Sequence, residues 1–270
     1  GRGSLAWRLG KHGRFLAALL GALVRSRGRD RCYFVPDSDK GLWLNLVEAP
    51  LLRLAFREVW LHHHVFSYVA KADWRMALIL RVLGGKARHV VLGPAMAEGL
   101  TRHYAVPSDS VRPLGNTVFV SDVPPAPQRP RLRSLGFLGN ITPEKGIALA
   151  MDTMDRAQAA DPSLSCLIAG PIADDALRAR VEAFVAARPE TRQWLGPVAG
   201  AEKLAFFRYA DVLLFPSQYA NEALPVTIYE ALAAGLPVLA TPRGCIPDQL
   251  AGLDGVLREA GYPETAAARI

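Results

Sequence analysis

The chain has 270 residues, of which 50% are hydrophobic and 21% are charged, and its formal net charge is +7. That length accommodates one large domain or two of ordinary size, and the ordinary charge, Gly and Pro contents argue against a disordered or fibrous protein. The three cysteines are odd in number and far apart, which argues against a disulfide framework and favours a reducing compartment.

The charge is unevenly distributed along the chain. Residues 1–130 contain 19 Lys and Arg against 9 Asp and Glu, a net charge of +10, whereas residues 131–270 contain 13 against 16, a net charge of −3. The basic half would attract an anionic partner, and a solvated basic surface is the alternative. Its cations are dispersed without interleaved aromatic residues, so no nucleic-acid partner is predicted.

The first predicted element is a basic amphipathic helix, in which leucines recur at helical spacing between residues 5 and 23. Four basic residues accompany them: Arg8, Lys11, Arg14 and Arg25. Such a helix either packs on a sheet or lies on a membrane surface. No apolar run reaches the ~18–20 residues that cross a bilayer. Because the chain starts with Gly1, we expect its natural beginning to be missing.

Short apolar segments then alternate with helical ones, which predicts a parallel sheet with right-handed crossovers. Strands are predicted at 32–35, 59–61, 89–92 and 111–114, and helices near 44–56, near 68–83 and from Pro94 onward. The proline-rich segment 121–131 predicts a stiff linker. We place the domain boundary inside it, with an N-terminal domain at 1–125 and a C-terminal domain at 126–270.

A second alternating series follows, and its near-continuous apolar runs are typical of strands covered on both faces. Strands are predicted at 135–139, 166–170, 192–196, 211–216 and 237–241, and helices near 145–159, 174–187, 201–209 and 225–234. The pattern predicts a doubly wound, Rossmann-like domain, in which ligands bind at the carboxyl ends of the strands.

Residues after the first strand of this series have the features of an anion site. Thr142 is a candidate N-cap and Pro143 suits the first helical position, which places Lys145 in the first turn. A cation there opposes the helix dipole, and a bound anion would remove the conflict. We interpret Lys145 as a phosphate-binding residue, with a solvated lysine as the alternative.

Two glutamates eight residues apart follow the strand at 211–216. Glu222 lies in a loop, and Glu230 lies in the second turn of a helix that begins at Pro225. Fully helical spacing would separate them by about 12 Å, too far for an acid–base dyad in direct contact. We interpret them as two anchors on one long ligand with vicinal hydroxyls, such as a ribose or a hexose. In the alternative, Glu222 is a charge at the helix N-terminus and Glu230 is a surface residue.

Residues 132–250 resemble the C-terminal domain of retaining glycosyltransferases of the GT-B fold, family 4. The matching segments include FLGNITPEKG, LIAGPI and NEALPVTIYEALAAGLPVLATPRGCIPD, in the right order at five strand ends. The N-terminal half resembles the same family more weakly, through VWLHHHVFSY. The resemblance implies an α/β protein with two Rossmann-like doubly wound parallel-sheet domains facing across a cleft, and with an incomplete N-terminal domain.

The resemblance also implies roles for single residues. Lys145 and Glu222 would act in catalysis, Lys145 by holding the donor diphosphate and Glu222 by contacting the transferred sugar. Glu230 would bind the nucleotide ribose. The other residues implied in donor binding are Gly139, Asn140, Gly196, Val198, Ala223 and Leu224. The family commonly has an arginine where this chain has Asn140, so one phosphate contact is expected to be weaker.

Three consecutive histidines follow the strand at 59–61. In an extended segment His62 and His64 point one way and His63 the other, so the three do not converge on one metal. They are either structural, hydrogen-bonded under a loop, or functional. The resemblance implies that one of them lines the cleft; we take His63 as the catalytic candidate and His62 and His64 as acceptor-side candidates.

The resemblance implies a retaining hexosyl-type glycosyltransferase that uses a nucleotide-diphosphate sugar and no further cofactor. A lysine can stabilise the departing phosphate without a metal, so no metal is expected. The acceptor would be a glycan or a lipid-linked molecule in polysaccharide or glycolipid biosynthesis of the bacterial surface type. The expected location is cytoplasmic, with an anionic membrane surface as an additional partner. The alternative is a non-catalytic nucleotide-sugar or glycan-binding module. An NAD(P)-dependent oxidoreductase is disfavoured, because no GxGxxG motif follows a strand.

Overall fold

Two compact units make up the chain, Gly1–Gly115 and Asn116–Ile270, and each contains one parallel sheet. The computed structural model describes residues 5–26, 30–120, 123–127, 129–172 and 174–270. None of the described helices combines the length and the apolar character that a bilayer crossing requires.

The first unit contains a four-stranded parallel sheet in the order β1-β2-β3-β4. Its strands are β1 Arg31–Phe34, β2 Glu58–His63, β3 Ala87–Val91 and β4 Val111–Pro113, and its helices are α1 Leu5–Ser26, α2 Leu42–Ala55, α3 Ser67–Ala70, α4 Trp74–Leu83 and α5 Pro94–Tyr104. All four predicted strands are confirmed. Among the described strands of this sheet, the spatial order follows the chain order without a reversal.

The single helix predicted near 68–83 is wrong, because the chain forms two helices there, α3 and α4. Lys71 adopts an extended conformation and ends α3. Asp73 then caps α4, since its carboxylate accepts a hydrogen bond from the Arg75 N–H at 2.8 Å. An aspartate in this position competes for the backbone donors of a continuous helix and favours a new helix start.

The second unit contains a five-stranded parallel sheet in the order β7-β6-β5-β8-β9. Its strands are β5 Ser134–Leu138, β6 Ser165–Ala169, β7 Arg192–Trp194, β8 Val212–Phe215 and β9 Val238–Ala240, and its helices are α6 Ile147–Ala160, α7 Asp175–Ala186, α8 Gly200–Tyr209, α9 Val226–Ala233, α10 Ile246–Gln249 and α11 Tyr262–Ala267. The order reverses between β5 and β8, which confirms the predicted doubly wound domain. Such a reversal opens a crevice at the carboxyl ends of the two strands.

Both central strands of this sheet are buried along their whole length, as their apolar sequences predict. Successive side chains alternate between two cores, so Leu214 packs with Phe137 on one face and Leu213 packs with Phe206 on the other. The two cores hold β5 and β8 side by side. The loops that follow these strands therefore start from a rigid base.

Part of the segment predicted as a stiff linker packs on the second unit. Val123 and Ala126 contact its core, and the Ala126 N–H donates to the Ala234 carbonyl at 2.8 Å. Residues 121, 122 and 128 lie outside the described residues. The stiffness of the segment stays a prediction.

Candidate functional site

The residues after β5 form a short turn in front of α6. The Thr142 hydroxyl accepts a hydrogen bond from the Lys145 N–H at 3.4 Å, and Pro143 occupies the first position, as predicted. However, Pro143–Lys145 is a 3-10 turn, and α6 begins only at Ile147. The expectation that Lys145 lies in the first turn of the α-helix is therefore wrong. Gly146, at φ 77°, separates the two helical segments because it adopts the left-handed conformation.

Gly146 also lets this turn approach the end of β8. A Cβ atom at this position would lie 1.9 Å from the Pro216 carbonyl oxygen, so only glycine fits. The Gln218 N–H donates to the Glu144 carbonyl at 2.7 Å and ties the two loops together. The turn after β5 is thus held against the loop that contains Glu222.

Lys145 and Glu222 form a direct ion pair at this point. The Lys145 Nζ lies 2.6 Å from the Glu222 Oε2, and the Ser217 hydroxyl donates to the same oxygen at 2.8 Å. The Lys145 Nζ also lies 5.1 Å from the centroid of the Tyr219 ring. Glu222 is buried, whereas Lys145 stays partly exposed. A lysine held this way can still present ammonium hydrogens to a ligand.

Ser217 and Tyr219 are site residues that the sequence reasoning missed. Ser217 is 1% exposed, and its carbonyl oxygen accepts a hydrogen bond from the Thr241 hydroxyl after β9. This bond joins the ends of β8 and β9 under Glu222. A hydroxyl that directly follows a buried strand was the available signal.

The ion pair borders a cavity of about 330 Å³. Gly139 and Asn140 line it at the end of β5, together with Lys145 and Glu222, and residues 225–227 line it at the start of α9. The structure thus brings four of the predicted site residues together at the carboxyl ends of β5 and β8. The first backbone N–H groups of a helix lack partners within the helix, so the start of α9 offers donors to an anion.

Glu230 lies in the second turn of α9, as predicted, but does not line this cavity. Its Oε1 accepts a hydrogen bond from the Lys203 Nζ at 2.6 Å. Its Oε2 is buried and has no hydrogen-bond partner among the described residues. Lys203, which the sequence reasoning also missed, therefore fixes the carboxylate through one oxygen and leaves the other oxygen unsatisfied.

Backbone contacts hold the loop between Glu222 and α9. The Ala223 carbonyl accepts from the Cys245 N–H at 2.7 Å, and the Leu224 carbonyl accepts from the Asn116 side-chain amide at 2.6 Å. Gly244 makes the close approach feasible, since a Cβ there would lie 2.2 Å from the Glu222 carbonyl oxygen. Both side chains of the predicted pair Ala223 and Leu224 are buried.

Two predicted donor residues lie elsewhere in the second unit. The Gly196 carbonyl accepts from the Gly170 N–H at 2.7 Å, beyond the end of β7. Val198 lines a different cavity of about 680 Å³, together with Arg133 and Phe206. The structure therefore does not bring Val198 into the cavity beside Lys145.

The central histidine of the triplet is fully buried inside the first unit. Hydrogen bonds of 3.0 Å join the His63 Nδ1 to the Tyr68 hydroxyl and the His63 Nε2 to the His89 Nδ1. Burial lowers the pKa of His63 well below its usual value and, with the nearby Arg88 charge, lowers the pKa of His89 to about 4. The catalytic role of His63 stays a prediction, but this geometry favours the structural alternative.

His62 and His64 lie together on the other side of the strand, as the alternation predicts. Their ring centroids are 3.9 Å apart, and a hydrogen bond joins the His62 Nδ1 to the Tyr33 hydroxyl. Burial, with the neighbouring His64, lowers the pKa of His62 to about 4. Within the described ranges, no group of three or more His, Cys, Asp or Glu side chains has the arrangement of a metal site.

The model of the family described as glycosyl transferases group 1 matches residues 126–270, more than half of the chain. The chain belongs to the glycosyl transferases group 1 family. Membership agrees with the resemblance carried by the Glu222 and Glu230 segment. Comparison with curated protein sequences finds no match.

Solved structures show that this glycosyl transferases group 1 chain has the GT-B fold. Anabaena HepE in complex with UDP and glucose is 14% identical, with a TM-score of 0.67 over 95% of this chain and 71% of that chain. The lipopolysaccharide outer core galactosyltransferase WaaB is 16% identical, with a TM-score of 0.66 over 97% and 70%. Sucrose-phosphate synthase from Thermosynechococcus elongatus is 17% identical, with a TM-score of 0.69 over 97% and 68%. At such identities the likeness shows the fold alone.

Proposed function

We propose that this chain of the glycosyl transferases group 1 family is a retaining, metal-independent glycosyltransferase. It transfers a hexosyl-type sugar from a nucleotide-diphosphate sugar to a glycan or a lipid-linked acceptor. Support comes from its family and from structural neighbours such as HepE, which was crystallised with UDP-glucose. The nucleotide sugar is a co-substrate, and no further cofactor takes part.

The Lys145–Glu222 ion pair at the strand-order reversal is the observation that carries this proposal. A diphosphate in the cavity beside it would face the Lys145 ammonium and the N–H groups at the start of α9. The transferred sugar would then lie next to the Glu222 carboxylate, which accepts hydrogen bonds from sugar hydroxyls. Gly139 at the end of β5 leaves room for the phosphates, since no atom lies within 4 Å of a Cβ built there.

The same arrangement supports a chemical mechanism without a metal. When the bond between the anomeric carbon and the diphosphate breaks, negative charge develops on the departing phosphate oxygen. The Lys145 ammonium and the helix N–H groups stabilise that charge. The acceptor hydroxyl attacks the same face of the sugar, and a phosphate oxygen takes its proton. A trapped covalent adduct between the sugar and Glu222 would contradict this mechanism and indicate double displacement.

The unsatisfied oxygen of Glu230 supports a role in nucleotide recognition. A buried carboxylate oxygen without a partner is unfavourable, and a ribose hydroxyl would satisfy it. We place the nucleotide ribose at Glu230 and the base toward Gly196. The remaining donor contacts are assigned to the backbone of Asn140, Ala223 and Leu224.

The acceptor side is assigned to the first unit. The protein itself is assigned to the cytoplasm, at the inner face of the membrane. His62 and His64 are the acceptor-side candidates because they share one side of the strand end. The net charge of +10 in residues 1–130 would favour an acceptor anchored in an anionic membrane. Biosynthesis of a bacterial-type surface polysaccharide or glycolipid fits such an acceptor.

Calorimetric titration of UDP, GDP and NAD into the wild-type chain and Lys145→Ala tests the donor site. We expect one of the two nucleotide diphosphates to bind, NAD to give no signal, and Lys145→Ala to lose the binding. Lys71→Ala, at an exposed lysine of the first unit, is the matched control and should bind like the wild type. Equal binding by Lys145→Ala would contradict the proposal.

A second candidate function is that of a non-catalytic nucleotide-sugar or glycan-binding module. One aspect of the ion pair favours it: pairing with Glu222 lowers the charge that Lys145 can offer to a departing phosphate, whereas the remaining ammonium hydrogens can still bind a phosphate that does not react. Hydrolysis of a panel of nucleotide sugars separates the two functions. If the wild type slowly releases free sugar and Lys145→Ala does not, the result supports the enzyme. Tight binding without any hydrolysis or transfer supports the module.

A further inference from the structure

The solvent-facing side of α2 is apolar along its whole length. Trp43, Val47, Pro50 and Leu54 recur at intervals of three and four residues and are all exposed. The opposite side of the same helix is buried and includes Leu42, Ala49 and Leu52. A helix on the surface of a globular protein normally carries polar residues on its outer side. This helix has apolar residues on both sides.

The helices on either side of α2 continue this pattern. α1 and α4 each pack against α2. In α1, the exposed residues Ala17, Leu20 and Val24 follow the same spacing, and in α4 Trp74 and Leu78 are exposed one turn apart. We call the combined surface the apolar face. Its residues are Ala17, Leu20, Val24, Trp43, Val47, Pro50, Leu54, Trp74 and Leu78.

Two tryptophans of the apolar face lie at the N-terminal ends of α2 and α4. The Trp43 and Trp74 rings are in edge-to-face contact, with centroids 5.3 Å apart, and they are 54% and 60% exposed. The Arg75 guanidinium lies 5.7 Å from the Trp43 ring centroid. Large contiguous apolar patches on soluble proteins mark sites of protein or membrane contact. Tryptophan side chains are enriched at the interface between a bilayer and water.

The exposed charges on the three helices of the apolar face have one sign, although Asp39 and Asp73, just outside these helices, lie beside Trp74 at the edge of the face. α1, α2 and α4 together contain a single acidic residue, Glu48, which is buried. Exposed arginines border the apolar residues: Arg14, Arg25, Arg53 and Arg81. A second copy of the chain docked through the same face would bring these arginines close to one another, which is unfavourable. A partner with a broad negative surface fits the pattern better.

We propose that the apolar face docks on an anionic phospholipid bilayer. The three helices lie in the plane of the interface, where Trp43, Leu54 and Trp74 enter the boundary between headgroups and acyl chains. The exposed arginines contact the lipid phosphates. The proposed function places the protein at a membrane, and this proposal identifies the surface that would contact it. The docking does not depend on the chemistry of sugar transfer.

Flotation of the full chain with lipid vesicles tests this surface. The vesicles consist either of phosphatidylcholine alone or of an equal mixture of phosphatidylcholine and phosphatidylglycerol. We expect binding to the mixed vesicles only, weakened by salt, with a blue shift of the tryptophan emission on binding. Leu54→Glu should lower the partition coefficient about tenfold or more, since it removes apolar area and adds a repelled charge.

Leu253→Glu is the matched control, because Leu253 is also exposed, by 53% against 66% for Leu54, but lies in the second unit. It should bind vesicles like the wild type. The conservative variant Trp43→Phe should retain most of the binding, whereas Trp43→Ser should lose it. Failure of the wild type to bind mixed vesicles, equal binding by Leu54→Glu, or a dimer in sedimentation that Leu54→Glu dissociates would each overturn the proposal.

Nucleotide titration keeps this test separate from that of the donor site. If only the docking surface is wrong, UDP or GDP still binds and vesicle binding is absent. If only the donor site is wrong, vesicle binding persists and Lys145→Ala has no effect on nucleotides. Leu54→Glu should leave nucleotide binding unchanged.

Discussion

Polar residues follow strands in both units, but their surroundings differ. At the ends of β5 and β8, Lys145 and Glu222 meet beside a cavity, and the lysine stays partly exposed. At the end of β2, His63 is fully buried, and both of its ring nitrogens are hydrogen-bonded inside the unit. The strand order reverses between β5 and β8. In the sheet that contains β2, the described strands follow the chain order. A strand end thus borders a cavity where the topology opens a crevice, whereas a packed strand end yields a structural network.

We expect the largest effect from the substitution Glu222→Gln, at the strand end that borders the cavity. The amide keeps the shape and the hydrogen bond from Ser217 but removes the charge beside Lys145 and the proposed position of the sugar. We expect kcat for sugar transfer to fall about 100- to 1000-fold, the usual range for losing one preorganised electrostatic group. Steady-state kinetics measure the effect. Glu182→Gln, at an exposed position of α7, is the control, and an unchanged kcat for Glu222→Gln would place the reacting centre elsewhere.

The substitution His63→Ala should act on stability instead. It leaves the Tyr68 hydroxyl and one His89 nitrogen without partners and creates a cavity, so we expect a loss of about 3 kcal/mol in the free energy of unfolding. Urea unfolding followed by tryptophan fluorescence measures the loss. His64→Ala, at a partly exposed position, should cost less than about 1 kcal/mol. A stable His63→Ala protein that binds nucleotide but does not transfer sugar would show that His63 is catalytic.

The substitution Glu230→Gln should weaken nucleotide binding about tenfold, because it replaces a charged acceptor of the ribose hydroxyls by a neutral one. Calorimetric titration measures the dissociation constant. Glu202→Gln, at an exposed position of α8, provides the comparison. An unchanged affinity for Glu230→Gln would separate Glu230 from the donor site.

Acid should destabilise the first unit before the second. The pKa of His89 falls from 6.5 to about 4 on folding, and that of His63 is also lowered. The unfolded chain therefore binds more protons below pH 6.5, so stability is present above that pH and is lost as the pH falls. Each of these buried histidines should lower the free energy of unfolding by about 1 kcal/mol when the pH falls from 6.5 to about 5.5.

Hydrogen exchange at the two pH values, corrected for the intrinsic rates, measures this difference by unit. Backbone amides of β2 and β3 should lose protection, and those of β5 and β8 should not. All six histidines lie within residues 1–115, so the second unit has none to titrate in this range. Equal losses in both units would contradict the assignment of buried neutral histidines.

The sequence predicted the strand series of both units, because each strand is a short apolar run between polar loops. It also placed Lys145 and Glu222 after β5 and β8, where a doubly wound sheet gathers its loops. It did not predict that these two side chains touch each other. Their contact depends on Gly146, which fits against Pro216 only in the folded chain. A local sequence pattern does not predict a contact between two segments that are distant in the chain.

The histidine triplet shows a second limit of the sequence. Alternation separated His63 from its neighbours but did not determine which side faced the interior, because all three residues are chemically identical. The partners Tyr68 and His89 decide it, and His89 lies 26 positions away in β3. The break between α3 and α4 was missed because the helical periodicity of residues 68–83 outweighed the capping signal of Asp73.

A crystal structure of the chain with bound UDP would test the central claim most directly. The account predicts a phosphate oxygen of the β-phosphate within ~2.7–3.2 Å of the Lys145 Nζ, in the cavity at the ends of β5 and β8, with the ribose hydroxyls at Glu230. UDP bound away from this cavity, with Lys145 still paired only to Glu222, would contradict it.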